Sequence, residues 1–504
     1  MMTLFLRLLF AVWLAAVSGS NNNNNNNNKR PNIVFVLADD YGFNDIGYHS
    51  PDISTPVLDQ LATEGVRLEN YYVQPICSPT RSQFMSGRYQ IRMGLQHGLI
   101  NSGQASALPR DSPTLADKMR EAGYATHLVG KWHLGYYKQE FLPFNRGFDT
   151  FYGYLTACEN YTSHKRVYPQ DGVAYLDLRD NNGPIHNENG HYSTHLFTEK
   201  AINVVQAHDT SKPLFMYLAY QSVHDPLMVP EEYEKKYSHI KDEKRRIYAG
   251  MVAAMDEGVG NVTKALKDKG IWDNTILVFS TDNGGQVYGG GNNFPLRGHK
   301  HTLWDGGMHG VGFVTGGKMP VKGLVNNELI HVTDWYPTLV NLAKGSLNGT
   351  KPLDGIDQWD TITAGKPSRR TVLLHNIDQL FPKRGVPLYN DTFDTSVRAA
   401  VRVGDMKLIT GDPGDAKWWP LPGQKVDFDI SDERHKHPNK NVWLFNITAD
   451  PNERHDLSHQ MPGTVRSLLR YLVKFNAESV PPVWPTHDWR SNPSRHGGVY
   501  GPWM

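Results

Sequence analysis

The chain has 504 residues, of which 39% are hydrophobic and 20% charged, with a formal net charge of +1. That length exceeds what one core usually supports and predicts a large domain with a smaller one, while the composition excludes a fibrous or wholly disordered chain. The near-zero charge balance marks the chain as a whole neither as a nucleic-acid binder nor as a membrane-surface binder.

Residues 1–20, "MMTLFLRLLFAVWLAAVSGS", place Arg7 before an apolar run and small residues after it. This is the layout of a cleaved secretory signal, and the run is too short for a comfortable membrane span. A polar spacer is assigned to 21–30, because the asparagine run at 21–28 cannot bury apolar area and reads as disordered. Five N-x-[ST] triplets, at Asn160, Asn261, Asn348, Asn390 and Asn446, agree with a secretory route and are glycosylation candidates. No later apolar run is long enough to cross a bilayer, so stable membrane insertion is not expected and the protein is placed in the secretory pathway, lysosomal or secreted. Only Cys77 and Cys158 are available for disulfides in that oxidising route, and one bridge between them is the simplest reading.

Four runs, "NIVFVLA" (32–38), "ATHLVG" (125–130), "PLFMYLAY" (213–220) and "NTILVFS" (274–280), are continuously β-branched and aromatic without alternation. That pattern predicts strands buried on both faces. Helices are predicted between them, one at 112–124 with Ser112 as cap and Pro113 as first residue, another over 242–270. The alternation predicts an α/β domain over 31–366, a large and mostly parallel sheet flanked by helices. From 367 to 504 the character changes. Short alternating strands at 399–410 and 443–457, then a helix at 464–478, predict a smaller α+β domain with an antiparallel sheet. The Pro- and Trp-rich residues 480–504 are expected to drape over the surface.

The chemistry-bearing residues sit just past the buried strands. Asp39 and Asp40 follow the first, Lys131 and His133 the second, His224 the third, and Asp282 and Asn283 the fourth. In open α/β sheets the ligand crevice lies outside the carboxyl ends of the strands, so four such ends predict a site. Asp39, Asp40, Asp282 and Asn283 offer hard oxygen ligands that suit Ca²⁺ or Mg²⁺ better than zinc, although each pair on its own is an ordinary turn or cap. Lys131, His133, His224, Lys300 in "RGHKHTLWDGG" and Arg81 would together suit a tetrahedral oxyanion. In "PICSPTRSQFMSGR" (75–88), Ser78 and Pro79 read as N-cap and first helical residue, which puts Cys77 at a helix mouth. Such a mouth binds oxyanions, but it also lowers a thiol pKa, so a cysteine nucleophile fits equally well.

Taken together these residues resemble the sulfatase family of the alkaline-phosphatase-like superfamily. "CSPTR" fits its C-x-P-x-R signature, and "LADDYGFNDIGYH", "GYATHLVGKWHLG", "STDNGG", "GGNNFPLRGHKHTLWDGG" and "LIHVTDWYPTL" look like family blocks in family order. Within the family, "GRYQIRMGLQHG", "LAYQSVHDPLMVPEEY" and the terminal "GVYGPWM" resemble the arylsulfatase B (N-acetylgalactosamine-4-sulfatase) subgroup. The resemblance implies a Ca²⁺-dependent hydrolase of sulfated glycosaminoglycan sugars or aryl sulfates. It also implies that Cys77 is converted to formylglycine by a formylglycine-generating enzyme, and that the hydrate of the aldehyde attacks sulfur. By position, Asp39, Asp40, Asp282, Asn283 and the modified Cys77 would hold one Ca²⁺. Arg81 would orient the hydrate, Lys131 and Lys300 would grip sulfate oxygens, His133 would bond the hydrate, and His224 would assist the leaving alcohol. His309 stands where the family usually has Arg, and His301 beside Lys300 is also unusual. A phosphomonoesterase or phosphodiesterase of the same superfamily and a non-catalytic sulfated-glycan binder are the competing readings.

Overall fold

The computed structural model describes residues 29–181 and 183–504; the expected signal (1–20) and the asparagine run (21–28) lie outside the described residues. Five parallel strands form the centre of a ten-stranded sheet: β1 (Asn32–Ala38), β2 (Ala125–Lys131), β3 (Thr150–Tyr154), β4 (Leu214–Ala219) and β5 (Thr275–Thr281), in the spatial order β5-β1-β4-β2-β3. Short strands extend both edges, including Gly312–Thr315, which runs antiparallel to β5. The two faces of β1 account for its unbroken apolar sequence. Val34 and Val36 point into one core with Met251 and Val252 of helix Glu243–Asp268, while Ile33, Phe35 and Leu37 point into the other with Phe84 and Trp335. Phe35 stacks on Phe84 with ring centroids 4.1 Å apart, and burying such a side chain contributes about 1.5–3 kcal/mol.

The fold is thus the alkaline-phosphatase-like α/β architecture, with a smaller antiparallel sheet of β6 (Val372–Asp378), β7 (Arg398–Val403), β8 (Met406–Thr410) and β9 (Val442–Asn446). Helix Pro462–Ala477 packs on that sheet through Val465, Leu468, Leu469 and Leu472. Among the described residues no helix is long and apolar enough to cross a membrane.

One expected helix begins later than its sequence suggests. It spans Leu115–Glu121 and is capped by Thr114, not Ser112. The Thr114 hydroxyl accepts from Asp117 N at 3.1 Å, and the Asp117 carboxylate takes Thr114 N at 2.9 Å, a reciprocal capping box that sets the start. Past the last helix the tail returns to the large sheet's domain. Val480 and Val483 donate backbone bonds to Ile91 and Gly94, Tyr500 to Leu176, and Met504 to Tyr137.

Candidate active site

Because β1, β2, β4 and β5 run parallel, their carboxyl ends share one edge, and backbone bonds stitch the loops there together. Asp39 N donates to Ser222 O (2.9 Å), Val223 N to Asp39 O (2.7 Å) and Asp282 N to Ala38 O (3.0 Å). Asp40 (φ 58°) and His133 (φ 53°) adopt left-handed backbone that non-glycine residues rarely take, a strain typical of functional positions.

Cys77 enters this edge from helix α1 (Cys77–Ser86), every residue of which is buried. The helix starts two positions earlier than the Ser78 cap and Pro79 first residue expected from sequence. Ile76, extended at φ −160°, takes the N-cap place, and Cys77 is the first helical residue. Ser78 cannot cap because its hydroxyl is committed elsewhere, donating to His133 O and accepting from Ile100 N, both at 3.1 Å. Cys77 and Cys158 are both free, so the bridge expected as the simplest reading is absent. The Cys77 thiol lies 3.5 Å from Asp39 Oδ1, and burial followed by the charge of Asp39 pushes its pKa up. As a thiolate nucleophile it is poorly poised.

Around it the charges interlock. Lys131 pairs with Asp39, and Lys300 donates to Asp40 at 2.8 Å. Arg81 grips Asp282 through Nε (3.1 Å) and Nη2 (2.9 Å) and reaches Asp39 at 3.3 Å. Burial pushes the Asp39 carboxyl up, but Lys131, His224, Arg81 and Lys300 outweigh it and hold Asp39 ionised. Burial likewise raises Asp40, and Lys300 and His224 bring it below the usual carboxylate range. Asp282, buried beside Asp39, is pushed up to about 6. Burial and Lys300 disfavour the charged form of His224, yet Asp40 and Asp39 prevail and raise its pKa well above the ordinary value. His133 goes the other way, held neutral by burial, Lys131 and Arg81. Its Nε2 lies 3.0 Å from Ile100 O, so that nitrogen carries the proton and Nδ1 remains a buried acceptor without a partner.

The donor set fits a hard cation. Ligand atoms of Asp39, Asp40, Cys77 and His224 all lie within 4.8 Å of one another. Asn283 bonds Asp40 Oδ1 through Nδ2 at 2.8 Å, and its Oδ1 is buried with no partner, an acceptor that a cation would satisfy. Asp282 reaches the same group through Oδ1, which accepts from Asp40 N at 3.3 Å.

The comparison with known families decides what this sheet edge belongs to: residues 31–346 match the Sulfatase family. The chain belongs to the sulfatase family. It is similar to arylsulfatase J of Mus musculus, 47% identical over 94% of this chain and 80% of that protein. It is also similar to N-acetylgalactosamine-6-sulfatase of Mus musculus, 28% identical over 91% of this chain and 88% of that protein. The solved structure of Ps i-CgsB in complex with k-i-k-neocarrahexaose matches with a TM-score of 0.76 at 29% identity, covering 92% of this chain and 96% of that one. The sulfatase is accordingly a sulfuric ester hydrolase of the formylglycine-dependent type. At subgroup level the expected likeness to arylsulfatase B gives way to one to arylsulfatase J.

The sequence did not reveal what backs His224 in this sulfatase. Cys158 contacts His224 and has its Sγ 2.8 Å from Arg166 Nη1; burial opposes its ionisation, but His224 and Arg166 bring the thiol down to about 7. A lone cysteine far along the chain looked like half a bridge, and nothing local signals this contact. His301 is neutral, lowered to about 4 by burial and Lys300. His309 stacks on Tyr72 and bonds Glu69 O at 3.0 Å, a packing role.

Proposed function

We propose that this sulfatase hydrolyses sulfate esters of glycosaminoglycan sugars at position 77, with Cys77 converted to formylglycine and one Ca²⁺ held by Asp39, Asp40, Asp282, Asn283 and residue 77. The observation that carries the reading is the convergence of Cys77, two acidic strand ends and the cations Arg81, Lys131 and Lys300 in one buried cluster. The Cys77 sulfur stands where an oxygen of the formylglycine hydrate would lie, which makes the cation's donor set all oxygen and amide and so suits Ca²⁺. When present, that hydrate supplies one hydroxyl to attack sulfur and a second that expels sulfate by reforming the aldehyde. A bound Ca²⁺ supplies positive charge that favours the ionised hydroxyl.

The chain's own residues have separable tasks. Arg81, bonded to both Asp282 and Asp39, orients the carboxylates and the reacting hydroxyl. Lys131 and Lys300 meet the charge that builds on the sulfate oxygens, a fixed electrostatic term in a dry site. The unpartnered Nδ1 of neutral His133 accepts a proton from the hydroxyl. His224, kept protonated, donates to the leaving alcohol oxygen.

Within the sulfated sugars we assign the 4-sulfate of N-acetylgalactosamine in dermatan or chondroitin sulfate; the 6-sulfate is the alternative suggested by the relative of that name. The secretory pathway, lysosomal or secreted, is the proposed location, and it exposes the nascent chain to the modifying enzyme. Asn261, Asn348 and Asn390 are exposed and Asn160 and Asn446 half-buried, so all five remain candidates for glycans.

A mass spectrum of the peptide spanning Ile76–Arg81, from protein secreted by animal cells, tests the assignment. An aldehyde or its hydrate at position 77 is expected; an unmodified thiol in active enzyme would overturn it. Cys77→Ala should lower turnover of 4-nitrophenyl sulfate by about a thousandfold or more without changing the melting temperature. Preferential cleavage of a phosphate ester would instead favour the phosphatase reading.

A further inference from the structure

Two cavities open beside the head of α1 and share one wall, the indole of Trp484 in the C-terminal tail. The smaller, about 180 Å³, is bordered by Ile76 and Pro79 on either side of Cys77, by His301 next to Lys300, and by Arg398. The larger, about 460 Å³, is bordered by Asn101, Gln104, Arg166 and Gln170. Both abut the reacting centre. Arg166 touches Cys158, which backs His224, and Asn101 follows Ile100, whose carbonyl meets His133.

The walls have a consistent chemistry. Neither Arg166 nor Arg398 has a carboxylate within 4.0 Å among the described residues. Arg166 Nε is buried without a hydrogen-bond partner. Arg398 bonds the carbonyl of His301 and lies over the Phe381 ring, 4.2 Å from its centroid. A largely buried guanidinium without a carboxylate partner keeps its planar fork free to match a carboxylate or sulfate. Trp484 is held 38% exposed, edge-on to His97 at 4.6 Å and backed by Gly98, where a Cβ would come within 3.1 Å of the indole. A rigid, half-wet indole flanked by amide side chains offers a stacking face for a sugar ring together with hydrogen bonds for its hydroxyls.

We propose that Trp484, Arg166 and Arg398 form subsites for sugars neighbouring the one that bears the scissile sulfate, so that the enzyme takes an anionic oligosaccharide chain and not a lone sulfated sugar. The proposal rests on the sulfate-ester reading above and extends it to substrate class. Trp484 stacks on a ring beside the reacting sugar, and each arginine binds an anionic group, carboxylate or sulfate, on a neighbour. The structurally similar Ps i-CgsB has been crystallised in complex with k-i-k-neocarrahexaose.

The test compares kcat/KM for chondroitin sulfate hexasaccharides, 4- and 6-sulfated, with that for the corresponding sulfated monosaccharides and for 4-nitrophenyl sulfate. Wild type is expected to favour a hexasaccharide over its monosaccharide by about tenfold or more. Trp484→Ala should lower the ratio of hexasaccharide to aryl sulfate kcat/KM by about tenfold, mainly through KM, with Trp484→Phe restoring most of it. Arg166→Gln and Arg398→Gln should raise the hexasaccharide KM, and a carboxyl-reduced hexasaccharide tells which anion each one reads. Equal losses on hexasaccharide and aryl sulfate, an unchanged ratio, or aryl sulfate turnover with no sugar cleaved would overturn the subsites. Wild type inert towards every sulfate ester would instead overturn the functional reading beneath them.

Discussion

Asn283 Oδ1 is a buried acceptor with nothing to accept from, beside carboxylates already arranged around a common point. Ca²⁺ binding to the folded state alone should raise the melting temperature of the wild-type enzyme and should not do so after chelation. Asn283→Ala should shrink that Ca²⁺-dependent shift; because it also loses the Nδ2 bonds to Asp40 Oδ1 and Gly284 O, its metal-free melting temperature should fall too, and the readout is the difference with and without Ca²⁺. An undiminished shift would remove Asn283 from the ligand set. Asp177 is a buried carboxyl of a different kind. It accepts from Leu155 N, Thr156 N and the Thr156 hydroxyl, with no cation within 4.0 Å among the described residues. Burial pushes it up from 3.8 to about 6, above its value in the unfolded chain. The folded state therefore holds this proton more tightly. Its stabilising effect is complete below about 3.8 and is lost as pH rises through about 6. Asp177→Asn should flatten the slope of melting temperature across that window, and a slope equal to that of wild type would refute the shift. Residues such as Asp177 and Cys158 were not legible in the sequence, because their meaning depends on which distant groups face them. Asp39, Asp40 and Asp282 were legible, because each follows directly on an unmistakable buried strand.

The strands themselves set that difference. β1, β2, β4 and β5 are long enough to show burial on both faces as unbroken apolar sequence. Pairs such as Arg179–Asp180 and Gly183–Pro184 carry no periodicity and extend the sheet only because a neighbour already exists. Another interaction between elements was equally hidden. Lys407 on β8 is fully buried and bonds Asp305 at 2.5 Å and Glu453 at 2.7 Å, while Tyr72 OH donates to Asp305 at 2.7 Å. This cluster ties the small sheet to the loop that carries Lys300. Burial raises the Glu453 pKa to about 7 even with Lys407 opposing, so the lone ammonium barely balances two carboxylates. Lys407→Met removes the ammonium that bonds both of them and should cost about 3–5 kcal/mol, read by chemical denaturation. A double variant, Lys407→Met with Glu453→Gln, should recover part of that loss; no recovery would mean that packing, not charge, sets the cost.

At the scale of the whole molecule, the chain after the last helix closes back onto the catalytic sheet's domain. The composition of residues 480–504 suggested a surface drape, and they do lie outside both sheets, but their bonds are specific. Asp488 N donates to Gly103 O at 2.8 Å, Tyr168 OH meets Ser491 Oγ at 2.8 Å, and Trp503 sits edge-on to Tyr136 at 5.3 Å. These contacts span more than 300 residues of sequence, as do those of Val480 and Val483, so no local pattern could announce them. They also hold Trp484 at the shared wall of the two cavities. Truncation after Ser479 should therefore do two things at once. It should lower the melting temperature by exposing Tyr136, Tyr168 and their neighbours, each of which loses buried apolar area worth about 25 cal/mol per Å². In the protein that remains folded it should depress oligosaccharide turnover more than aryl sulfate turnover. A truncated chain with wild-type melting temperature and an unchanged substrate ratio would show the tail to be an appendage; we expect the opposite, because the tail lines both cavities through Trp484 and ends against the loop after β2.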